Sequence, residues 1–332
     1  MAKKSNNSSL KKKISGYQKD LIKVRQEVSK VFVGQEDMVT SLIECLLCNS
    51  NVLLEGIPGV GKTLLVRTLA KITGCSYSRI QFTPDLLPTD IVGITTYDEK
   101  KGFYTLKGPI FANFVLGDEI NRSPPKVQSA LLEAMQERQV TIGKETFTLP
   151  KPFFVMATQN PLEQLGTYKL PEAQLDRFLY KVSMDYPKMS EEVKILDTNM
   201  TTKDFSDYTL KPILNPSKIM EIQEITKNIK TSEKVKNYII RIVDATRNSS
   251  NYNLENSKFI SFGASPRASI GLFIASKARA LMNNRDYVIP NDVKEVAMNV
   301  LRHRLVINFE GEAEGVTSEK VILELLDKVS IL

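Results

Sequence analysis

Eight residues constrain this chain more than any others: Gly56-Ile57-Pro58-Gly59-Val60-Gly61-Lys62-Thr63. They satisfy the spacing Gly-x-x-x-x-Gly-Lys-Ser/Thr at every required position. Asn51-Val52-Leu53-Leu54 precedes them, a short apolar run that predicts a buried strand. Leu64 to Ile72 follows, apolar at helical spacing, with Gly74 as the expected C-terminal cap. Strand, loop and helix in that order are the setting in which such a loop cradles polyphosphate. Glycines let successive N–H groups turn inward, and the helix N-terminus favours an anion. The expected contacts to the bound polyphosphate are Gly56, Gly59, Val60, Gly61, Lys62, Thr63 and Leu64. Lys62 reaches the β- and γ-phosphates, and the Thr63 hydroxyl binds Mg²⁺.

Composition narrows the remaining chemistry. A chain of 332 residues is long enough for two domains. No apolar run has the length of a membrane span, and the N-terminus has no apolar signal core, which predicts a cytoplasmic protein. The net charge of +7 is concentrated at one end: Lys3, Lys4, Lys11, Lys12 and Lys13 all precede the first acid, Asp20. Setting those five aside from the 45 Lys and Arg leaves 40 against 38 Asp and Glu, a body near +2. Residues 1–15 therefore read as a disordered basic tail, and nucleic acid is not the expected partner. Cys45 and Cys48 lie inside an apolar helical stretch without a second pair, so they read as core and not as a metal or redox site. His303 reads as structural or surface.

Taken in order, residues 16–30 predict a helix leading to Val31–Gln35, and a second helix runs to Cys48. Ser78–Phe82 predicts a strand. Ile91–Tyr97 and Gly102–Leu106 flank a charged turn and predict a hairpin, as do Gln139–Ile142 and Thr146–Leu149. Between the hairpins, Phe114-Val115-Leu116 predicts a buried strand that ends in Asp118-Glu119. A helix follows, with Ser123 as its expected N-cap and Val127, Ala130, Leu131, Ala134 and Met135 on one face. Phe153–Asn160 predicts another central strand. Beyond Pro187 only helices are expected, over 190–199, 216–229, 232–248, 265–283, 290–302 and 317–329, with a polar, mobile loop between Asn248 and Phe262. The organisation is thus an α/β core over 16–188, a helical domain over 189–310 and an extension over 311–332.

Asp118 and Glu119 end a hydrophobic strand, the Walker B arrangement. Asp118 is the expected Mg²⁺ acid, and Glu119 the base that orients and deprotonates water. Phosphoryl transfer is largely positioning and charge stabilisation, so metal and nucleophile belong there. Asn160 ends the next strand, where its amide can hold the γ-phosphate or the water. Ser265 and Pro266 start a helix, which puts Arg267 in the first turn. A cation there opposes the helix dipole by roughly 0.3–1 kcal/mol, a cost explained if Arg267 faces phosphate.

These blocks, with Pro124–Glu137, Ala157–Pro161, Leu170–Phe178 and Gly263–Ala268, resemble the MoxR-type AAA+ ATPases over about residues 20–310. The resemblance implies an α/β AAA+ P-loop NTPase core, a parallel sheet flanked by helices, with a C-terminal all-α lid domain. It implies a hexamer with nucleotide between subunits. Asn160 matches sensor 1, Arg267 sensor 2, and Arg177 the arginine finger that reaches a neighbour's nucleotide. Val33 and Gly34 match the segment lining the adenine pocket, and the hairpins match insertions that face the pore or partners. Three positions depart from the family pattern: Leu165 for an acid, Lys169 for proline and Gly117 for alanine. The function implied is a chaperone-like remodelling motor, often paired with a von Willebrand factor type A domain protein. A nucleic-acid motor or loader and the ATPase subunit of a metal chelatase are the alternatives.

Overall fold

The computed structural model describes residues 2–57, 59–100, 102–161, 166–198 and 205–331. The chain forms two compact units: Ile22–Pro171 with Val182–Glu221, and Met1–Leu21 with Glu172–Lys181 and Ile222–Leu332. Pro58, Leu165 and the end of the helix expected over 190–199 lie outside the described residues.

Helix α1 spans Ala2–Val28. The expected tail is therefore helical from Ala2. Ile14, Tyr17, Leu21, Val24 and Val28 fall at helical spacing and are all buried, so the apolar stripe begins within the basic stretch and no proline interrupts it. After a bend at Val31–Gln35 comes α2 (Glu36–Leu47), which buries Cys45. The core then alternates strands and helices: β1 (Val52–Gly56), α3 (Lys62–Ile72), β2 (Tyr77–Gln81) and the short α4 (Pro88–Val92). The first hairpin is β3 (Gly93–Asp98) with β4 (Gly102–Lys107), antiparallel as expected. β5 (Phe114–Asp118) leads to α5 (Pro125–Glu137), then to the second hairpin, β6 (Gln139–Ile142) with β7 (Glu145–Thr148), and to β8 (Phe154–Gln159). Ser123 is not the N-cap of α5; Pro124 takes that position, with φ −59° and ψ 154°. A residue before proline is pushed out of the helical region, so Pro125 delays the helix start by one residue.

α6 (Glu172–Leu175) and β9 (Tyr180–Met184) follow. The main sheet has the order β2-β5-β8-β1-β9, with β2, β5, β8 and β1 pairing in parallel. Val52–Leu54, Phe114–Leu116 and Phe154–Ala157 are buried throughout, the continuous apolar runs of a parallel sheet covered on both faces. Gly117 lets Leu131 and Phe82 close in. A Cβ there would lie 2.9 Å from Leu131 Cδ2 and 3.2 Å from Phe82 Cε2.

The remainder is mainly helical: α7 (Met189–Thr198), α8 (Pro216–Lys227), α9 (Glu233–Arg247), β10 (Ile260–Phe262), α10 (Pro266–Met282), α11 (Pro290–Leu301), β11 (Val306–Ile307), α12 (Phe309–Ala313) and α13 (Ser318–Lys328). The loop after α9 is held in place, contrary to expectation. Leu254 and Phe259 are buried, and Asn256 Nδ2 donates to Glu324 Oε2 at 2.7 Å. α13 packs on α9 and α11, burying Val321, Ile322 and Leu325, so residues 311–332 belong with this helical packing and do not form an appendage. No helix among the described residues is long and apolar enough to cross a membrane.

Candidate nucleotide site

Parallel strands end at the same sheet edge, and that edge collects the site. Leu54 pairs with Thr158 and Glu55 with Gln159 across β1 and β8; Gly117 pairs with Ala157 across β5 and β8. The phosphate loop leaves β1, Asp118 ends β5, and the buried Asn160 follows β8. Gly56 is required for packing as well as for turning, since a Cβ there would sit 2.7 Å from Met184 Cβ at the end of β9.

In the loop, Gly59 and Gly61 have φ +85° and +83°, a region that L side chains resist. Gly61 also faces Phe32, whose ring carbon would lie 3.1 Å from an added Cβ. Gly61 is the N-cap of α3 and supplies no capping side chain, so the first-turn N–H groups have no side-chain acceptor there. Loop and helix start together present the donors an anion needs. The Lys62 ammonium donates to its own loop at Gly56 O. Burial pulls its pKa below the usual lysine value, against the opposing pull of Asp118, Glu119 and Glu55. Thr63 is half-buried beside it. Val33 and Gly34 occupy the bend before α2, Gly34 with φ +79°. Gly34 and Phe32 line a cleft with Ile22, Val28 and Val39.

The two acids are held by side chains that the motif spacing does not reveal. Thr158 Oγ1 donates to Asp118 Oδ1 at 2.6 Å and accepts the Glu119 N–H at 2.8 Å. Arg79 donates to Asp118 Oδ2 from Nη2 at 2.6 Å and from Nε at 3.1 Å. Gln81 Nε2 donates to Glu119 Oε2 at 2.8 Å, and Arg122 Nε lies 3.3 Å from the same oxygen. Glu119 itself has φ 58° and ψ 49°, a left-handed conformation rare for a residue with a side chain.

Arg177 and Arg267 lie in the other unit. Ser265 caps α10 as expected, accepting the Arg267 N–H at 3.1 Å, so Arg267 stands in the first turn. Asp176 organises this group. Its Oδ2 accepts from Ser265 Oγ at 2.7 Å and lies 3.9 Å from Arg267 Nη1, while its Oδ1 accepts from Arg304 Nε at 2.7 Å. Arg304 is buried and also donates to the carbonyls of Phe178 and Leu179. Arg177, next in sequence to Asp176, is exposed. His303 is buried with Nε2 3.1 Å from Phe178 O; burial, with the nearby Arg304 charge, holds its pKa well below the usual histidine value. Its role is structural.

The model of the ATPase family associated with various cellular activities (AAA) matches residues 51–180, and the AAA lid domain matches residues 253–325. The chain is 48% identical over 307 residues to Chaperone MoxR1 of Mycobacterium tuberculosis, covering 92% of this chain and 80% of that protein. This chain is a MoxR-family AAA+ ATPase. It is also 44% identical to the uncharacterized protein YeaC of Bacillus subtilis, over 95% of this chain and 97% of YeaC. Protein MoxR of Methylorubrum extorquens is 28% identical over 85% of this chain and 86% of that protein. A crystal structure of a candidate ATPase from Cytophaga hutchinsonii superimposes with a TM-score of 0.92 at 46% identity, covering 98% of both chains. As the family implies, the chain binds nucleotide and is an ATPase with the AAA+ core and lid.

Proposed function

We propose that this MoxR-family ATPase hydrolyses Mg-bound ATP as a ring-forming, chaperone-like motor that remodels or matures partner proteins. The observation that carries the chemical part is the convergence of the phosphate loop, Asp118-Glu119 and Asn160 at one edge of a parallel sheet. Gly56, Gly59, Val60, Gly61 and Leu64 hold the phosphates by backbone, Lys62 neutralises their charge, and Val33 and Gly34 border the adenine. Glu119 takes the proton of the attacking water, and Asn160 orients that water or the γ-phosphate.

Thr63 and Asp118 fit a magnesium ion. No group of three or more His, Cys, Asp or Glu among the described residues forms a metal cage. Magnesium suits a site of one or two protein oxygens completed by phosphate and water. Bound there, it neutralises charge on the β- and γ-phosphates.

Arg177, exposed and outside the unit that holds the phosphate loop, is proposed as the finger of a neighbouring subunit in a hexamer; Arg267 serves as sensor 2. The chaperone name of MoxR1 supports a protein client, and a von Willebrand factor type A domain protein in the cytoplasm is the proposed partner. Mixing two inactive variants tests the shared site. Arg177→Ala and Glu119→Gln each bind ATP and hydrolyse it poorly. Together they regain activity, because some interfaces pair an intact Glu119 with an intact Arg177. Mixed rings that form and stay inactive would refute the trans role. Stimulation of the ATPase by nucleic acid and not by a type A domain protein would refute the partner.

A further inference from the structure

We infer that Arg79 is a positioning residue that competes with the divalent metal for the Asp118 carboxylate and so sets how much metal the site needs. The inference rests on the reading of Asp118 as the metal acid. Arg79 lies on β2, beside β5, with Gln81 as the Cα partner of Asp118. A carboxylate offers about four lone-pair sites. Two N–H groups of Arg79 converge on Oδ2, at 2.6 and 3.1 Å, and Thr158 takes one site on Oδ1. Oδ2 is thus fully engaged by a guanidinium. One site on Oδ1 stays open, but a dication there would share the carboxylate with the guanidinium, and the two positive charges repel.

Arg79 can leave without stranding a charge. Its side chain is 47% exposed, against 14% for Asp118, so water takes over the guanidinium as it swings out. Its departure also reaches Glu119. Arg79 Nη2 donates to Gln81 Oε1 at 2.5 Å, and the same amide donates to Glu119 Oε2. Metal entry at Asp118 therefore loosens the amide that holds the proposed base. Arg122 is the internal control. It is a second, similarly exposed cation in the site, and it pairs with Glu119.

The test is the binding of a slowly hydrolysed fluorescent ATP analogue by the full chain, titrated with Mg²⁺. Wild type shows metal-dependent binding with a measurable midpoint. Arg79→Gln lowers that midpoint about fivefold, the size of one partly exposed ion pair. Arg79→Lys, which keeps the charge but loses the paired donors, falls between the two. Arg122→Gln moves the midpoint less than Arg79→Gln, and melting temperatures report that each variant is folded. An unchanged midpoint in both Arg79 variants would overturn the inference while leaving the metal reading intact. An equal shift in Arg122→Gln would also overturn it, because the field of any nearby cation would then explain the result. Wild-type binding that is indifferent to Mg²⁺ would overturn the metal reading and the inference with it.

Discussion

Thr158→Val tests the network that holds the proposed catalytic acids. The substitution keeps the branched shape and removes only the hydroxyl, which is fully buried and serves two partners. The Glu119 N–H loses its acceptor, and a buried donor left unpaired costs about 1–3 kcal/mol. Asp118 loses a hydroxyl donor on Oδ1 but keeps Arg79 on Oδ2, so the second loss is partly offset. The new methyl group recovers about 0.8 kcal/mol of apolar burial. The net destabilisation is about 2 kcal/mol, a fall of roughly 4–8 °C in melting temperature for a unit of this size. Turnover falls further than stability implies. Glu119 is held at φ 58° beside Thr158, and about 1.4 kcal/mol of lost positioning lowers kcat about tenfold. Differential scanning calorimetry and steady-state phosphate release measure both, and Thr158→Ser restores both. A Thr158→Val protein that melts with wild type and turns over at the wild-type rate would mean that the hydroxyl positions neither acid.

Two further predictions concern the helical unit. Asp176→Asn leaves the Arg304 guanidinium, 3% exposed, without its carboxylate, and destabilises that unit by about 3 kcal/mol in urea unfolding; an unchanged midpoint would count against Asp176 as the organising group. His303 has its pKa depressed in the fold, so its neutral form supports stability above the unfolded value near 6.5, and that contribution is lost as pH falls toward the lower folded value. Stability should therefore drop between pH 7 and 5 with a slope that His303→Gln reduces, as followed by thermal melts across that range.

How much of this was legible in the sequence depends on whether a feature is local. The phosphate loop, the Asp118-Glu119 strand and the α10 cap are each written in contiguous residues, and their elements formed within a few positions of the expected bounds. Arg79, Gln81 and Thr158 were missed because their roles arise from strand neighbours far apart in sequence. Arg79 and Gln81 share one face of β2 by the two-residue period, but only the pairing of β2 with β5 turns that face toward Asp118. β9 was also missed, although Tyr180-Lys181-Val182-Ser183-Met184 alternates buried with more exposed positions, the pattern of a strand. Its short length beside Pro187 hid it. The left-handed Glu119 had no local signal, since it is held from two segments far away in sequence, by the Thr158 hydroxyl on its N–H and the Gln81 amide on its carboxylate, beside Arg122 of its own turn.

One edge of the sheet is proposed to bind ATP through Lys62 and to hydrolyse it through Glu119. Calorimetric ATP binding, measured with phosphate release on the same samples of wild type, Lys62→Ala and Glu119→Gln, tests it most directly. Lys62→Ala should lose most binding, because the charge facing the β- and γ-phosphates is gone. Glu119→Gln should bind as wild type and release almost no phosphate, because the shape remains and the base does not. Loss of binding in both variants alike, or wild-type phosphate release by Glu119→Gln, would contradict the account.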